Sequence, residues 1–275
     1  MEFDKYKLTG QAVSLKDFAT RADHDLNDRE LRKKHKQVTK EVRSLQSELY
    51  AESKQSVLFV LQAMDAAGKD SSIARLTSQL NTQGSRVTSF KKPTKLEQGH
   101  DFLWRIHNKA PAAGEIVFFN RSHYEDVLVV KVHGWADQAQ IQQRYKNINE
   151  FESLLHDRGT RVIKCMLNIS PEYQLERFTS RLANPGKYWK FNPGDLDERQ
   201  HWHEYMSAFE TAMSECASEA APWYVVPAQN RKFRDLMLAT ILRDTLLEMG
   251  AKYPEPDFDL DAYNVNTIEG LSKIS

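Results

Sequence analysis

The apolar positions of this chain follow two alternating patterns. Short, continuous, partly β-branched runs occur at SVLFVLQAM (56–64), RVTSF (86–90), GEIVFFNRS (114–122), TRVIKCMLNIS (160–170) and PWYVVPA (222–228), and each reads as a buried strand. Between them, apolar residues recur every three or four positions. Ile73, Leu76 and Leu80 mark a helix over 71–84, and Leu96, Leu103 and Ile106 mark one over 94–107. Further helices are predicted over 136–158, 171–182, 195–220 and 231–249, with Gly84 and Gly159 as stops and Pro171 in a first turn. Ahead of the first strand, Leu31, Val38, Val42, Leu45 and Leu49 predict a long amphipathic helix over 28–52. Strand–helix alternation implies a five-stranded parallel sheet covered by helices on both faces, an α/β three-layer sandwich. The expected division is an N-terminal arm and helix (1–54), the α/β domain (55–250) and an acidic tail (251–275), loosely held.

Charge narrows the picture. Lys plus Arg number 38 and so do Asp plus Glu, so net charge does not argue for a polyanion partner, and any basic site must be local. The two cysteines, Cys165 and Cys216, have no metal-ligand spacing, which fits a reduced, cytoplasmic setting. The polar N-terminus predicts no signal peptide, and no run nears the ~18 apolar residues that would span a bilayer.

The candidate chemistry starts at MDAAGKDSS (64–72), where a strand turns through small residues into a helix. Such a loop aims the amides of Ala66, Ala67, Gly68, Lys69, Asp70 and Ser71 at one place, and Lys69 adds a full positive charge for phosphates. It departs from G-x-x-x-x-G-K-[ST], because Ala63 replaces the first glycine and Asp70 the hydroxyl residue. Ser71 or Ser72 could partly replace that hydroxyl. Asp65 in a phosphate cradle is repulsive unless a cation such as Mg²⁺ lies between, or unless it accepts a hydrogen bond from an incoming group.

A second cluster, Asn120, Arg121, Glu125 and Asp126, follows the third strand and should face the loop, since ligands of parallel sheets bind at strand carboxyl ends. Arg121 suits a phosphoryl group in transfer, and Glu125 suits a metal or acceptor phosphate. The plainer reading is an Arg121–Glu125 ion pair. A third segment, interrupted by Pro and Gly, carries Arg177, Arg181, Lys187, Lys190 and Arg199, and reads as a lid over about 181–203 with Trp189 and Trp202 as anchors. Lys69, Arg75, Arg121, Lys131 and the basic run 32–36 are candidates for a polyanion track.

LQAMDAAGKDSS (61–72), VTSFKKPT (87–94), HDFLWRIH (100–107), GEIVFFNRSHYEDVLVVKVH (114–133), WKFNPGDLDERQHWHEY (189–205) and APWYVVPA (221–228) together resemble the family 2 polyphosphate kinases, in the family's order and spacing. The resemblance implies a P-loop kinase-like fold and Mg-dependent phosphoryl transfer, with Mn²⁺ as a possible substitute, between inorganic polyphosphate and adenine or guanine nucleotides. It implies Asp65 and Glu125 as metal-binding acids and Lys69 as a phosphate ligand. Asn120, Arg121 and Glu125 match the family's second motif, and Arg177 and Arg181 match its basic lid positions and are expected to bind the nucleotide. Phe90 and Pro93 fall at the nucleobase, and Lys91 and Lys92 near nucleotide phosphates. Asn120 leading NRSHYED is most similar to the class III branch, associated with both AMP and ADP. Neither nucleic acid nor membrane is expected as a partner. A homo-oligomer, dimer or tetramer, is expected, with the long N-terminal helix as a candidate contact between subunits. The rivals are an ATP-dependent nucleoside monophosphate kinase of thymidylate-kinase type and a non-catalytic polyanion-binding module.

Overall fold

The computed structural model describes residues 3–260 and 263. Most of the expected acidic tail lies outside the described residues. Six strands form one sheet: β1 (Lys7–Leu8), β2 (Ser56–Gln62), β3 (Ser85–Ser89), β4 (Ile116–Asn120), β5 (Thr160–Asn168) and β6 (Trp223–Pro227). Their order is β1-β6-β5-β2-β4-β3. The five strands after β1 are parallel, and β1 pairs antiparallel with β6. The sheet therefore has one strand more than the apolar pattern predicts. A two-residue strand in a polar arm carries no period, and its pairing to Trp223 and Tyr224 is a long-range event.

The helices are α1 (Asp28–Glu52), α2 (Lys69–Thr77), α3 (Lys95–Gln98), α4 (Trp104–His107), α5 (Val129–Val132), α6 (Gln138–Asp157), α7 (Pro171–Leu182), α8 (Gly194–Gln200), α9 (Trp202–Cys216) and α10 (Arg231–Met249). α1 begins in a capping box, in which Asn27 accepts from the Glu30 amide and Glu30 accepts from the Asn27 amide. Its apolar stripe, Leu31, Val38, Val42 and Leu49, is buried along α10 of the same chain. α10 touches α1, α2 and β6 and is buried continuously from Phe233 to Leu242, as expected of a helix segment packed on several sides. α6 packs on β5 and on α9.

Three predicted helices are shorter than their patterns. Residues 94–107 split into α3 and α4, because α3 ends at Gly99 and Asp101 Oδ1 accepts from the Leu103 amide. Leu96, expected inward, is 68% exposed, while Ile106 is fully buried. Residues 195–220 break at His201 into α8 and α9. α2 ends at Thr77, and Leu80 reaches the core from the turn beyond it.

The chain leaves β2 for β3, returns to β4 beside β2, then crosses to β5 on the other side. Such a reversal opens a crevice at the strands' carboxyl ends. The loops after β2, β3 and β4 meet there.

Candidate active site

The loop after β2 makes its turn with Ala66 (φ 64°) and Gly68 (φ 110°) in the left-handed region. Gly68 then stands as the N-cap of α2, so the helix's free amides open toward the loop. Lys69 is almost fully buried. Its Nζ donates to Ala63 O at 2.7 Å and Met64 O at 3.3 Å, and lies 3.8 Å from Asp65 Oδ1. Burial, then the charge of Arg121, pushes the Lys69 pKa down. Burial opposes ionisation of Asp65, but the charges of Lys69 and Arg121 outweigh it and hold the carboxyl below its ordinary range. Of the two neighbouring hydroxyls, Ser71 Oγ donates to Gly68 O at 2.9 Å, and Ser72 Oγ is buried without a hydrogen-bond partner among the described residues.

Arg121 sits just past β4 with φ 63°, an uncommon conformation for a residue with a Cβ. Its side chain spans two carboxylates. Nη2 donates to Asp65 Oδ1 at 2.6 Å and Nη1 to Glu125 Oε2 at 3.0 Å. These partners, Glu125 first, raise its pKa further, so the guanidinium stays charged at any working pH. The Arg121–Glu125 ion pair of the plainer reading is present, but it is one arm of a bridge to the phosphate loop. Asn120 Nδ2 donates to Asp70 Oδ1 at 2.6 Å, tying β4 to the start of α2.

A cavity of about 570 Å³ opens over this cluster. Its lining includes all six residues from Ala66 to Ser71, together with Asp65, Asn120 and Arg121. From the segment after β5 come Arg177, Arg181, Lys187 and Lys190, and from the loop after β3 come Phe90 and Lys91. Nine Lys and Arg residues face three Asp residues across it, so a chain of zero net charge has a concentrated basic chamber. Within the segment expected as a lid, Arg181 donates to Lys190 O at 2.9 Å and meets Asp195 at 3.4 Å. Asp195, partly buried and near Asp65, has its pKa raised, chiefly by burial.

A second, apolar cavity of about 540 Å³ lies beside the first and shares Arg121 with it. Phe90, Pro93, Val129, Val130 and Trp135 form its walls, with Lys91, Lys92 and Glu125 at the polar side. Phe90, Lys91, Lys92 and Pro93, expected at the nucleotide, thus line this cavity, whereas Arg177 and Arg181, expected there too, line the basic chamber.

Arg75, Lys131 and the basic run 32–36, all expected on the track, lie elsewhere. Arg75 turns outward from α2 to Asp235 at 2.8 Å, and Lys131 donates to Thr211 Oγ1 at 3.1 Å on α9. Neither lines the 570 Å³ cavity, because each is drawn to a partner on a helix that sequence distance hides. Of the two expected lid anchors, Trp202 is buried but Trp189 is 79% exposed, with Lys190 over its ring and its Nε1 donating to Gly186 O at 3.1 Å. Tyr173, Asp195, Arg231 and Arg234 line the chamber without having been singled out in the sequence. The one available signal was the basic cluster RKFR (231–234) directly after the last predicted strand.

Among the described residues, no three His, Cys, Asp or Glu side chains converge as an all-protein metal site. Asp65 and Glu125 are hard oxygen donors separated by Arg121, an arrangement that suits a cation completing its shell with phosphate oxygens and water. Among the described residues, no helix is long and apolar enough to cross a membrane.

Comparison with known proteins places these residues in a wider set. The family described as Polyphosphate kinase 2 matches residues 25–254. An AMP/ADP-polyphosphate phosphotransferase of Meiothermus ruber is 46% identical over 220 residues, 80% of this chain and 82% of that protein. An ADP-polyphosphate phosphotransferase of Rhodopseudomonas palustris is 42% identical, covering 77% of each. The crystal structure of Polyphosphate Kinase 2 from Arthrobacter aurescens superposes with a TM-score of 0.92 at 38% identity, covering 95% of both chains.

Proposed function

Because this chain belongs to the polyphosphate kinase 2 family, we propose that it moves a phosphoryl group between inorganic polyphosphate and the terminal phosphate of AMP or ADP. The observation that carries the reading is the bridge Asp65–Arg121–Glu125, which stands where the basic chamber and the apolar cavity meet. The relatives' names support both acceptors. Asn120 at the head of its motif supports the branch that takes AMP as well as ADP.

The polyphosphate end lies in the basic chamber, against the amides of residues 66–71. Lys69 Nζ exchanges its contacts with Ala63 O and Met64 O for phosphate oxygens, which restores the charge preference that burial takes from it. The purine stacks in the apolar cavity, whose size is usual for a small-molecule pocket. An oxygen of the nucleotide's terminal phosphate then attacks the end phosphorus of the donor. One P–O bond forms, the P–O anhydride bond to the rest of the chain breaks, and the shortened polyphosphate leaves as the anion. That nucleophile is already ionised, so no general base is needed, and positioning and charge neutralisation supply the rate.

Arg121 holds its charge at the transferring group. The lid residues Arg181, Lys187 and Lys190 close the chamber and exclude water, which favours transfer over hydrolysis. Mg²⁺, held by Asp65 and Glu125, would neutralise phosphate oxygens on donor and acceptor. The test is to incubate the protein with AMP and, separately, ADP, each with polyphosphate and Mg²⁺ and without ATP. ADP and ATP are the expected products. No product with polyphosphate, but transfer when ATP is the donor, would replace this reading with the monophosphate-kinase one.

A further inference from the structure

Arg234 belongs to no recognised motif, yet the phosphate loop is built around it. It lies in the first turn of α10 and is 1% exposed. Nη1 donates to Ala67 O and Nη2 to Ser71 Oγ, both at 3.3 Å, and Ser71 Oγ passes the contact on to Gly68 O at 2.9 Å. The guanidinium is gripped from behind as well. Nε and Nη2 donate to Asp235 Oδ1 at 2.9 and 2.7 Å, and Asp235 Oδ2 pairs with Arg75 Nε at 2.8 Å. A Cβ on residue 68 would stand 2.2 Å from Arg234 Nη1. Glycine is thus required at 68 for room as well as for its φ of 110°.

In a trans peptide the C=O and N–H point in opposite directions. Holding Ala67 O toward α10 turns the Gly68 amide away from α10, and holding Gly68 O through Ser71 sets the Lys69 amide in the same manner. Only a guanidinium can reach a carbonyl, a hydroxyl and a carboxylate from one rigid plane, so lysine is no substitute. Asp235 cancels one charge of the buried pair, and Arg75 leaves the trio with a net charge of +1.

We propose that Arg234 is a positioning residue for phosphoryl transfer. With Asp235 and Arg75 it forms a brace that orients the Gly68 and Lys69 amides toward the donor phosphate. The inference rests on the proposed transfer, and the two fail differently. If the unaltered protein makes no product from polyphosphate, the transfer reading falls. If it does, and the brace variants match it, the brace alone falls.

The experiment compares Arg234→Met, Arg234→Lys and Arg75→Met for kcat, for KM of polyphosphate and of ADP, and for thermal midpoint. Arg234→Met should lower kcat about 10- to 100-fold, as expected for amides misplaced by a fraction of an ångström. It should also raise KM for polyphosphate while leaving KM for ADP within about twofold, since the apolar cavity does not include it. Arg234→Lys should recover the thermal midpoint but not kcat. Arg75→Met, at a side chain 63% exposed, should shift the same parameters in the same direction by roughly threefold. Wild-type kcat and polyphosphate KM in a folded Arg234 variant would overturn the proposal, as would equal changes in both KM values. If Arg234→Met does not fold, the Arg234→Lys and Arg75→Met results decide alone.

Discussion

Two clusters of charge grow from the same seven residues, NRSHYED (120–126), and face opposite ways. Asn120, Arg121 and Glu125 turn toward the basic chamber or its edge. His123 and Tyr124 turn into the protein, where they meet Glu152 and Lys164. In the inner cluster the charges are matched, although His123 Nδ1 is buried without a hydrogen-bond partner among the described residues. Lys164 Nζ uses its three donors on Glu152 Oε2 (2.5 Å), Cys216 O (2.6 Å) and Tyr124 OH (3.0 Å). Glu152 Oε1 accepts from Tyr124 OH at 2.9 Å and lies 3.1 Å from His123 Nε2. Burial opposes the Glu152 charge, but Lys164 and then His123 outweigh it and lower its pKa. The outer cluster is open by comparison, with the side chains of Arg121 and Asp65 36% and 24% exposed. It is also unbalanced, because the chamber beyond it has a threefold excess of cations. A closed cluster with its charges paired holds the fold. An open cluster with surplus charge recruits an anion.

The sharpest way to break this comparison is at Glu152. Glu152→Leu strands the Lys164 ammonium in the interior and should cost about 3–5 kcal/mol of stability, read from denaturant unfolding. Turnover per folded molecule should be unchanged. Adding Lys164→Met should return much of that loss, since the desolvated charge is then gone. Equal destabilisation by the single and double variants would show that the inner cluster is not acting as a charge pair.

In the outer cluster the expected losses reverse. Lys69→Ala and Arg121→Ala should each lower turnover by at least ~10²-fold, the usual effect of removing a contact to transition-state charge. Single-turnover assays with saturating polyphosphate check this. Normal turnover in either would remove that residue from its proposed role.

The pH dependence tests Lys69 more gently. Its pKa is depressed in the folded protein, chiefly by burial and then by Arg121, and the proposed transfer needs the charged form. The value of kcat/KM should therefore fall as pH rises through a point below the ordinary lysine value of about 10.4. Lys69→Arg should move that alkaline limb upward whatever its maximal rate, because arginine does not titrate there. Asp65, whose pKa is lowered, contributes no limb between pH 5 and 8. Its favourable ionisation is complete above its unfolded-state value and is lost only as pH falls through its lower folded value.

The smallest effect belongs to two lysines of the proposed lid, half-buried Lys187 and exposed Lys190. Replacing Lys187 and Lys190 together by Ala should raise KM for polyphosphate roughly two- to tenfold, with little change in kcat. The dependence of that KM on salt should become shallower, because fewer screened contacts remain. A salt dependence identical to wild type would place the lid lysines outside the donor's path.

How much of this was legible in sequence depended on how local the cause was. Five parallel strands, the long N-terminal helix and the loop around Gly68 all declare themselves through apolar period, capping residues and small-residue turns, which act within a few positions. The loop after the first long strand singled out Asp65 and Lys69, the polar cluster after the third predicted strand singled out Arg121 and Glu125, and the structure brings those four together. Period alone could not tell that Leu96 would face outward, since a four-residue helix ended by Gly99 has no face to bury. Nor could it tell that Arg75 and Lys131 would leave the chamber for partners on α10 and α9.

The sequence by itself determined the alternation of strand and helix, the phosphate loop and the identity of the charged residues near it, because these follow from backbone preference and side-chain chemistry over short spans. Tertiary structure alone decided which charges are saturated and which are left to face a ligand. It set His123 and Tyr124 inward and Arg121 outward from one motif, and it brought Arg234 from the last helix beneath a loop more than half the chain away. Pairing of charges is a matter of distance in space and of water excluded between them, and neither can be read along the chain.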